Sequence, residues 1–334
     1  MVTFFGPWNL GRLLSDTFGI YSKKWFYYIA IVTPFIIITA LVSWALDATI
    51  TRWQDLAEIY ESAELAFKAL YIGIGFLLLN MLITMIVEAA MNCVLIHAMC
   101  QYYTRDNISL GKAYGQALKK LLTVFAAVLL RGLVMAALFI TIIGIPIAIY
   151  FAIKWIFVTH AILLEGKSVT ESLSRSSELT SENWWRIFGY LIVVLIIVFA
   201  AIFAMGLIQG FVGFTTEVNG FDFYVTIISI IAAPLSIIAT TLLYFTLRVE
   251  KEGYHLGKLK TDLDAWDANK KPVYQADVIM PGQFYCSRCG TRQNSGTRFC
   301  SNCGRSFYED AAPRQADDKP ENSDDDTGNG PFIN

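Results

Sequence analysis

Six apolar runs of about twenty residues, 25–46, 70–97, 121–143, 147–164, 187–212 and 224–247, alternate with short polar stretches. Each is long enough to cross the hydrocarbon core of a bilayer, which takes about 20 helical residues. The predicted fold class is therefore an all-α integral membrane domain of six transmembrane helices in three hairpins. Each hairpin is preceded by a segment of amphipathic helix. With Leu10, Leu110 and Val169 superposed, positions at offsets 0, 3, 4, 7, 8 and 11 fall on one helix face. In the first copy they read Leu10, Leu13, Leu14, Thr17, Phe18 and Tyr21; in the third, Val169, Ser172, Leu173, Ser176, Ser177 and Thr180, the weakest apolar stripe. Fifteen residues after each anchor stands an aromatic, Trp25, Phe125 or Trp184. Three repeats of interfacial helix plus hairpin are predicted, with the three helices lying on one membrane face.

The third of these polar segments, 165–188, is the most clearly marked. Ser168 and Glu171 have the spacing of a capping box, and Arg175 lies within helical reach of Glu171 and Glu178. Trp184 and Trp185 mark re-entry into lipid, since indole rings favour the headgroup level.

Composition agrees with this reading. The 334 residues are 55% hydrophobic and only 16% charged, against about 25% charged in soluble domains. Lysines and arginines gather at one set of ends: Arg12, Lys23 and Lys24; Arg105, Lys112, Lys119 and Lys120; Lys167, Arg175 and Arg186; Arg248, Lys251 and Lys258. The positive-inside rule then predicts a multi-pass protein of the cell membrane with both termini cytoplasmic. The first apolar run is too long for the core of a cleavable signal.

The C-terminal part is different in kind. Division is expected into a membrane domain (1–247), a juxtamembrane segment and linker (248–283), a zinc ribbon (284–308) and an acidic disordered tail (309–334). Charges of both signs interleave over 248–283, which reads as a short juxtamembrane helix followed by a linker, together a solvated stalk. Cys286 and Cys289, then Cys300 and Cys303, form two Cys-x-x-Cys knuckles, each followed by glycine. Two such knuckles complete a tetrahedral thiolate site for one zinc per chain, and four cysteine ligands leave no open position, so the metal is structural. Iron–sulfur ligation is the rival. Arg288, Arg292, Arg298 and Arg305 decorate the ribbon, while Tyr285, Phe299 and Phe307 are expected to be its small core. A cytoplasmic protein is the partner that such a module suggests. Nucleic acid is the weaker reading, because the tetrathiolate centre offsets half of the arginine charge.

Three ionisable residues fall inside spans: Glu88, Arg131 and Lys154. Each is about ten residues from a basic boundary, about 15 Å deep, so the three are expected to meet as an intramembrane polar cluster. The cluster is either a structural charge network or an anion or lipid-headgroup site.

The run Ile142-x-Gly144-Ile145-Pro146, Leu163-Leu164-Glu165-Gly166, Ser168, Ser172-Leu173, Ser176, Leu179 and Trp184, with Leu243-Tyr244, Leu247-Arg248-Val249 and Lys251-Glu252-Gly253-Tyr254, resembles a broad group of prokaryotic membrane proteins. That group includes the membrane domain attached to some glycerophosphodiester phosphodiesterases. The resemblance spans residues 10–256 and implies the membrane fold; Thr246 and His255 stand where it would place acids. It implies no activity, since the phosphodiesterase domain itself has no room here. With no nucleophile–base pair or open metal site, the chain reads as non-enzymatic: a membrane scaffold or regulatory protein whose ribbon mediates interactions. The alternative is a carrier or lipid-handling protein using the intramembrane cluster.

Overall fold

A computed structural model describes residues 10–59, 63–105, 107–213, 221–270, 283–286, 291–294 and 297–302. The helices are α1 (Leu10–Ile59), α2 (Ala63–Arg105), α3 (Leu110–Phe139), α4 (Gly144–Lys154), α5 (Val158–Glu165), α6 (Val169–Thr180), α7 (Trp184–Gly213), α8 (Phe221–Glu252) and α9 (Leu256–Asp267). Strands β1 (Gln283–Tyr285) and β2 (Arg292–Asn294) pair antiparallel, Phe284 opposite Gln293.

Six helical stretches are long and apolar enough to cross a membrane, the number expected from the sequence. α1 packs against α2 and α8, and α2 against α3. Burial is concentrated toward the basic ends: Ala89, Cys93 and Ile96 of α2, Ala161 to Leu164 of α5 and Ile238 to Leu247 of α8 are enclosed. The opposite halves present Leu41, Leu77, Leu133 and Phe199 outward, as lipid-facing residues should.

Three expectations are corrected. The polar segment before the second hairpin is no separate helix, because α3 runs unbroken from Leu110 into its apolar stretch. The first is set off only by a kink at Lys24, whose φ of −131° and ψ of 26° leave the helical region. The expected fourth span, 147–164, is interrupted: α4 ends at Lys154 and α5 begins at Val158. Neither glycine nor proline occurs between them.

The repeat alignment nevertheless acquires a structural meaning. Leu13, Thr17 and Ile20 are buried in the first copy, Ala113 and Ala117 in the second, and Ser172, Ser176 and Leu179 in the third. These occupy offsets 3, 7 and, in the first and third copies, 10. The common feature is the buried face rather than its apolarity.

Segment 248–270 is no solvated stalk. Leu259, Leu263 and Trp266 recur at helical spacing and are buried, so α9 lies packed on α2 and α5. Phe299, expected in the core of a ribbon, is exposed. Tyr285 and Phe307 carry no described side chain, and residues 309–334 lie outside the described residues.

Candidate functional site: a buried charge network at the basic end of the bundle

Local structure brings the network together. α5 stops because Gly166 turns left-handed at φ 64°, a conformation that glycine reaches without a Cβ clash. The chain then re-enters α6 through the expected capping box, with the Ser168 amide donating to Glu171 Oε2 at 2.9 Å. This reversal lays Arg175 beside Glu165. α8 ends in the same way: Gly253 has φ 62°, and the Gly253 and Tyr254 amides return to the carbonyls of Val249 and Arg248. On α8, Tyr244, Arg248 and Glu252 are four residues apart and share one face.

Glu165, Arg248 and Glu252 thereby meet Arg175 and Asp262 in one buried group. Arg175 Nε donates to Glu165 Oε2 at 2.8 Å, its Nη1 to Glu178 at 3.1 Å and its Nη2 to Glu252. Arg248 Nε donates to Glu252 Oε2 at 3.0 Å and lies 3.8 Å from Glu165 Oε1; its Nη1 is 3.7 Å from Asp262. Two phenols complete the set, Tyr244 donating to Glu165 and Tyr254 to Asp262, both at 2.6 Å. The Arg248 guanidinium also stacks on Tyr254. Buried charges are tolerable only when paired and hydrogen-bonded in this way. Burial lifts the Asp262 carboxyl above the ordinary range against the opposing pull of Arg248, and burial likewise lifts the Tyr254 phenol. A polar cavity of about 700 Å³, lined in part by Lys167, Arg175, Glu250 and Glu252, opens onto one side of the group.

A second cluster fastens the far end of α9. Asp267 accepts from His97 Nε2 at 2.8 Å and from Arg105 at 2.9 Å, and its carbonyl accepts from Gln116 at 2.9 Å. Gln101 Nε2 lies 3.1 Å from His97 Nδ1, while Gln101 Oε1 accepts the Ser109 amide. One neutral tautomer of His97, protonated at Nε2, satisfies both of its bonds. Burial opposes ionisation of Asp267, but the bonds from His97 and Arg105 outweigh it and hold the carboxyl below the ordinary range. Trp266 meets His97 edge to face, and Lys120 lies over Trp266 while donating to the Leu163 carbonyl.

The sequence-derived intramembrane residues sit elsewhere. Glu88 is exposed on α2, within electrostatic reach of Arg131. Arg131 Nη1 donates to the Trp155 carbonyl at 3.3 Å, and the Lys154 ammonium lies 5.2 Å from the Tyr150 ring centre. No ion pair within 4 Å joins these three described residues. Glu165, Arg175, Arg248, Glu252 and Asp262 were missed as a site, although five of the residues carrying the family resemblance, Glu165, Tyr244, Arg248, Glu252 and Tyr254, belong to it. The available signal was the run of motif residues at two helix ends.

Of the four expected metal ligands, Cys286 and Cys300 are buried, while Cys289 and Cys303 lie outside the described residues. The Cys286 amide donates to the Thr291 carbonyl, and Gln293 Nε2 points at Cys300 Sγ from 3.5 Å. Donors aimed at a sulfur suit a thiolate. Among the described residues no three potential ligands meet.

Six apolar helices and a charge network confined to their basic ends define a polytopic α-helical membrane protein. Residues 132–271 match the model of a family described as the membrane domain of glycerophosphoryl diester phosphodiesterase. The match takes in every member of the buried network and stops short of the four C-terminal cysteines. No curated protein and no solved structure is significantly similar to the chain.

Proposed function

We propose that the protein is a non-enzymatic membrane scaffold or regulator whose cytoplasmic C-terminal ribbon, built around one structural zinc, engages a protein partner. The observation that carries this reading is the double fastening of α9, through Asp262 to Arg248 and through Asp267 to His97 and Arg105. A helix so bound anchors the chain at the basic end of the spans just before the segment that leads to the four cysteines. Cys286, Cys289, Cys300 and Cys303 hold the zinc, and Gln293 donates toward one of the sulfurs.

The carrier reading has one observation in its favour. Arg131 and Lys154 border an interrupted span, and interrupted helices line many transport sites. Against it, the backbone groups at the interruption already have protein partners, so it has no need of a ligand.

The test is complementation of a deletion strain. The scaffold reading expects a chain lacking 283–308 to be inserted and stable but to fail, as the Cys286→Ser variant does. Full complementation by the chain without its ribbon would overturn it.

A further inference from the structure

The interruption of the fourth span is made by another helix. Ser176 Oγ of α6 donates to the Lys154 carbonyl at 2.7 Å and accepts the Phe157 amide at 3.1 Å, standing in for bonds that a continuous helix would make internally. Thr180 Oγ1 lies 3.4 Å from the same carbonyl, with its proton nearer the Ser176 carbonyl at 3.0 Å, and Arg131 donates to the Trp155 carbonyl. Nothing in the local sequence requires a break. From Ile147 to Glu165 there is no glycine or proline, and Ala, Leu and Ile are frequent. Away from water, as at the fully buried Phe157, an unpaired backbone group is costly enough that a helix persists wherever it can close its own bonds. The break therefore exists because α6 supplies hydroxyls to it.

We propose that residues 155–157 are a two-state element, interrupted while α6 is docked and closed into one continuous helix over 144–165 when α6 withdraws. α6 is equipped to leave: Thr180 already bonds the Ser176 carbonyl of its own helix, and serine hydroxyls readily find a carbonyl one turn back. What holds α6 in place is the charge network, since Arg175 ties it to Glu165 at the end of α5 and to Glu252 at the end of α8. Arg248 bonds Glu252 and faces Asp262 of α9, so the same group links the ribbon-bearing helix to the break. An element with two discrete states, biased from both ends, is the physical requirement for coupling distant sites. Closure of the helix would turn Lys154 relative to Arg131 and alter the face that span 4 presents to its neighbours.

Hydrogen exchange of the full chain in lipid nanodiscs tests this at the Phe157 amide. The Ser176→Ala and Arg175→Gln variants should each slow its exchange about tenfold or more, because the amide passes from a hydroxyl to an internal helix bond. Ile156→Ala, which leaves α6 untouched, should slow it, and Ile156→Gly should hasten it. Protection of the α2 amides 89–99, which both states share, shows that each variant is folded. Faster exchange in Ser176→Ala, or an amide indifferent to Ile156→Ala, would overturn the proposal, as either means a fixed break. An Arg175→Gln variant that loosens α6 while leaving Phe157 unchanged would remove the network from the device.

Discussion

The guanidinium of Arg248 lies 3.7 Å from the centre of the Tyr254 ring, and both side chains are fully enclosed. The contact exists because Gly253 reverses the chain at the end of α8 and folds the next residue back over the last turn. A planar cation that stacks on a ring while donating in its own plane to Glu252 is chemistry lysine cannot reproduce. Arg248→Lys is therefore expected to behave like Arg248→Ala, each costing about 3–5 kcal/mol as for other broken buried pairs. Thermal unfolding in detergent measures this; a lysine variant as stable as the natural chain would show that charge alone suffices.

Asp262 and Asp267 of α9 have opposite pH signatures. Asp267 has a folded-state pKa below the ordinary value of 3.8, so its contribution is complete above that value and disappears as pH falls through the lower, folded pKa. Asp262 is shifted the other way, so keeping it ionised in the fold at neutral pH offsets part of what its contacts contribute. Asp267→Asn should consequently destabilise α9 docking more than Asp262→Asn at pH 7. It should also flatten the loss of docking on acidification. Limited proteolysis between 253 and 283, followed from pH 7 to pH 3, reads both effects.

Trp266 is the largest fully buried side chain of α9. Trp266→Ala should cost about 3–5 kcal/mol, the range for truncating a buried aromatic. It should also expose the segment to protease while the six spans stay inserted. Equal protease resistance in the variant would mean that the charged contacts alone hold α9.

The ribbon prediction is one zinc per chain, lost in Cys300→Ser, with the unfolding temperature of the membrane domain unchanged. A metal-dependent fold of this size unfolds without its ion, whereas the spans have their own core. Elemental analysis beside the melting curve checks both halves, and iron in place of zinc would refute the assignment.

Much of the architecture is legible in the sequence because a bilayer imposes length and apolarity on each span, and the Ser168–Glu171 capping box is a purely local signal. The break at 155–157 is not legible, since Trp155, Ile156 and Phe157 look like any apolar helix and the cause sits on Ser176, 19 residues beyond the Phe157 amide. The same fact explains why the third repeat has the weakest apolar stripe. Its hydroxyls are there to bond backbone, so hydrophobicity is the wrong measure of that face. A short helix after the last span is legible, but the docking of α9 is not, because interleaved charges disguise the helical spacing of Leu259, Leu263 and Trp266. The network required the fold itself, because Arg175 and Glu252 are 77 residues apart in sequence.

Hydropathy singles out Glu88 as a costly carboxylate, and the structure adds Glu165, buried within the protein. Glu165 is fully enclosed and serves Arg175, Arg248 and Tyr244 together, so Glu165→Gln leaves two guanidiniums short of a counter-charge and should cost about 3–5 kcal/mol. Glu88 faces outward on α2, within electrostatic reach of Arg131 but with no ion pair within 4 Å among the described residues, so Glu88→Gln removes a charge from a span without breaking a close pair and should leave stability unchanged or raised. The comparison is informative because both substitutions remove one negative charge and preserve shape. Parallel thermal melts in detergent decide it. Glu88→Gln falling as far as Glu165→Gln would place the functional charge pair back among Glu88, Arg131 and Lys154. A large effect of Glu165→Gln alone, reversed in part by Arg175→Gln, would identify the helix-end network as the group on which the fold depends.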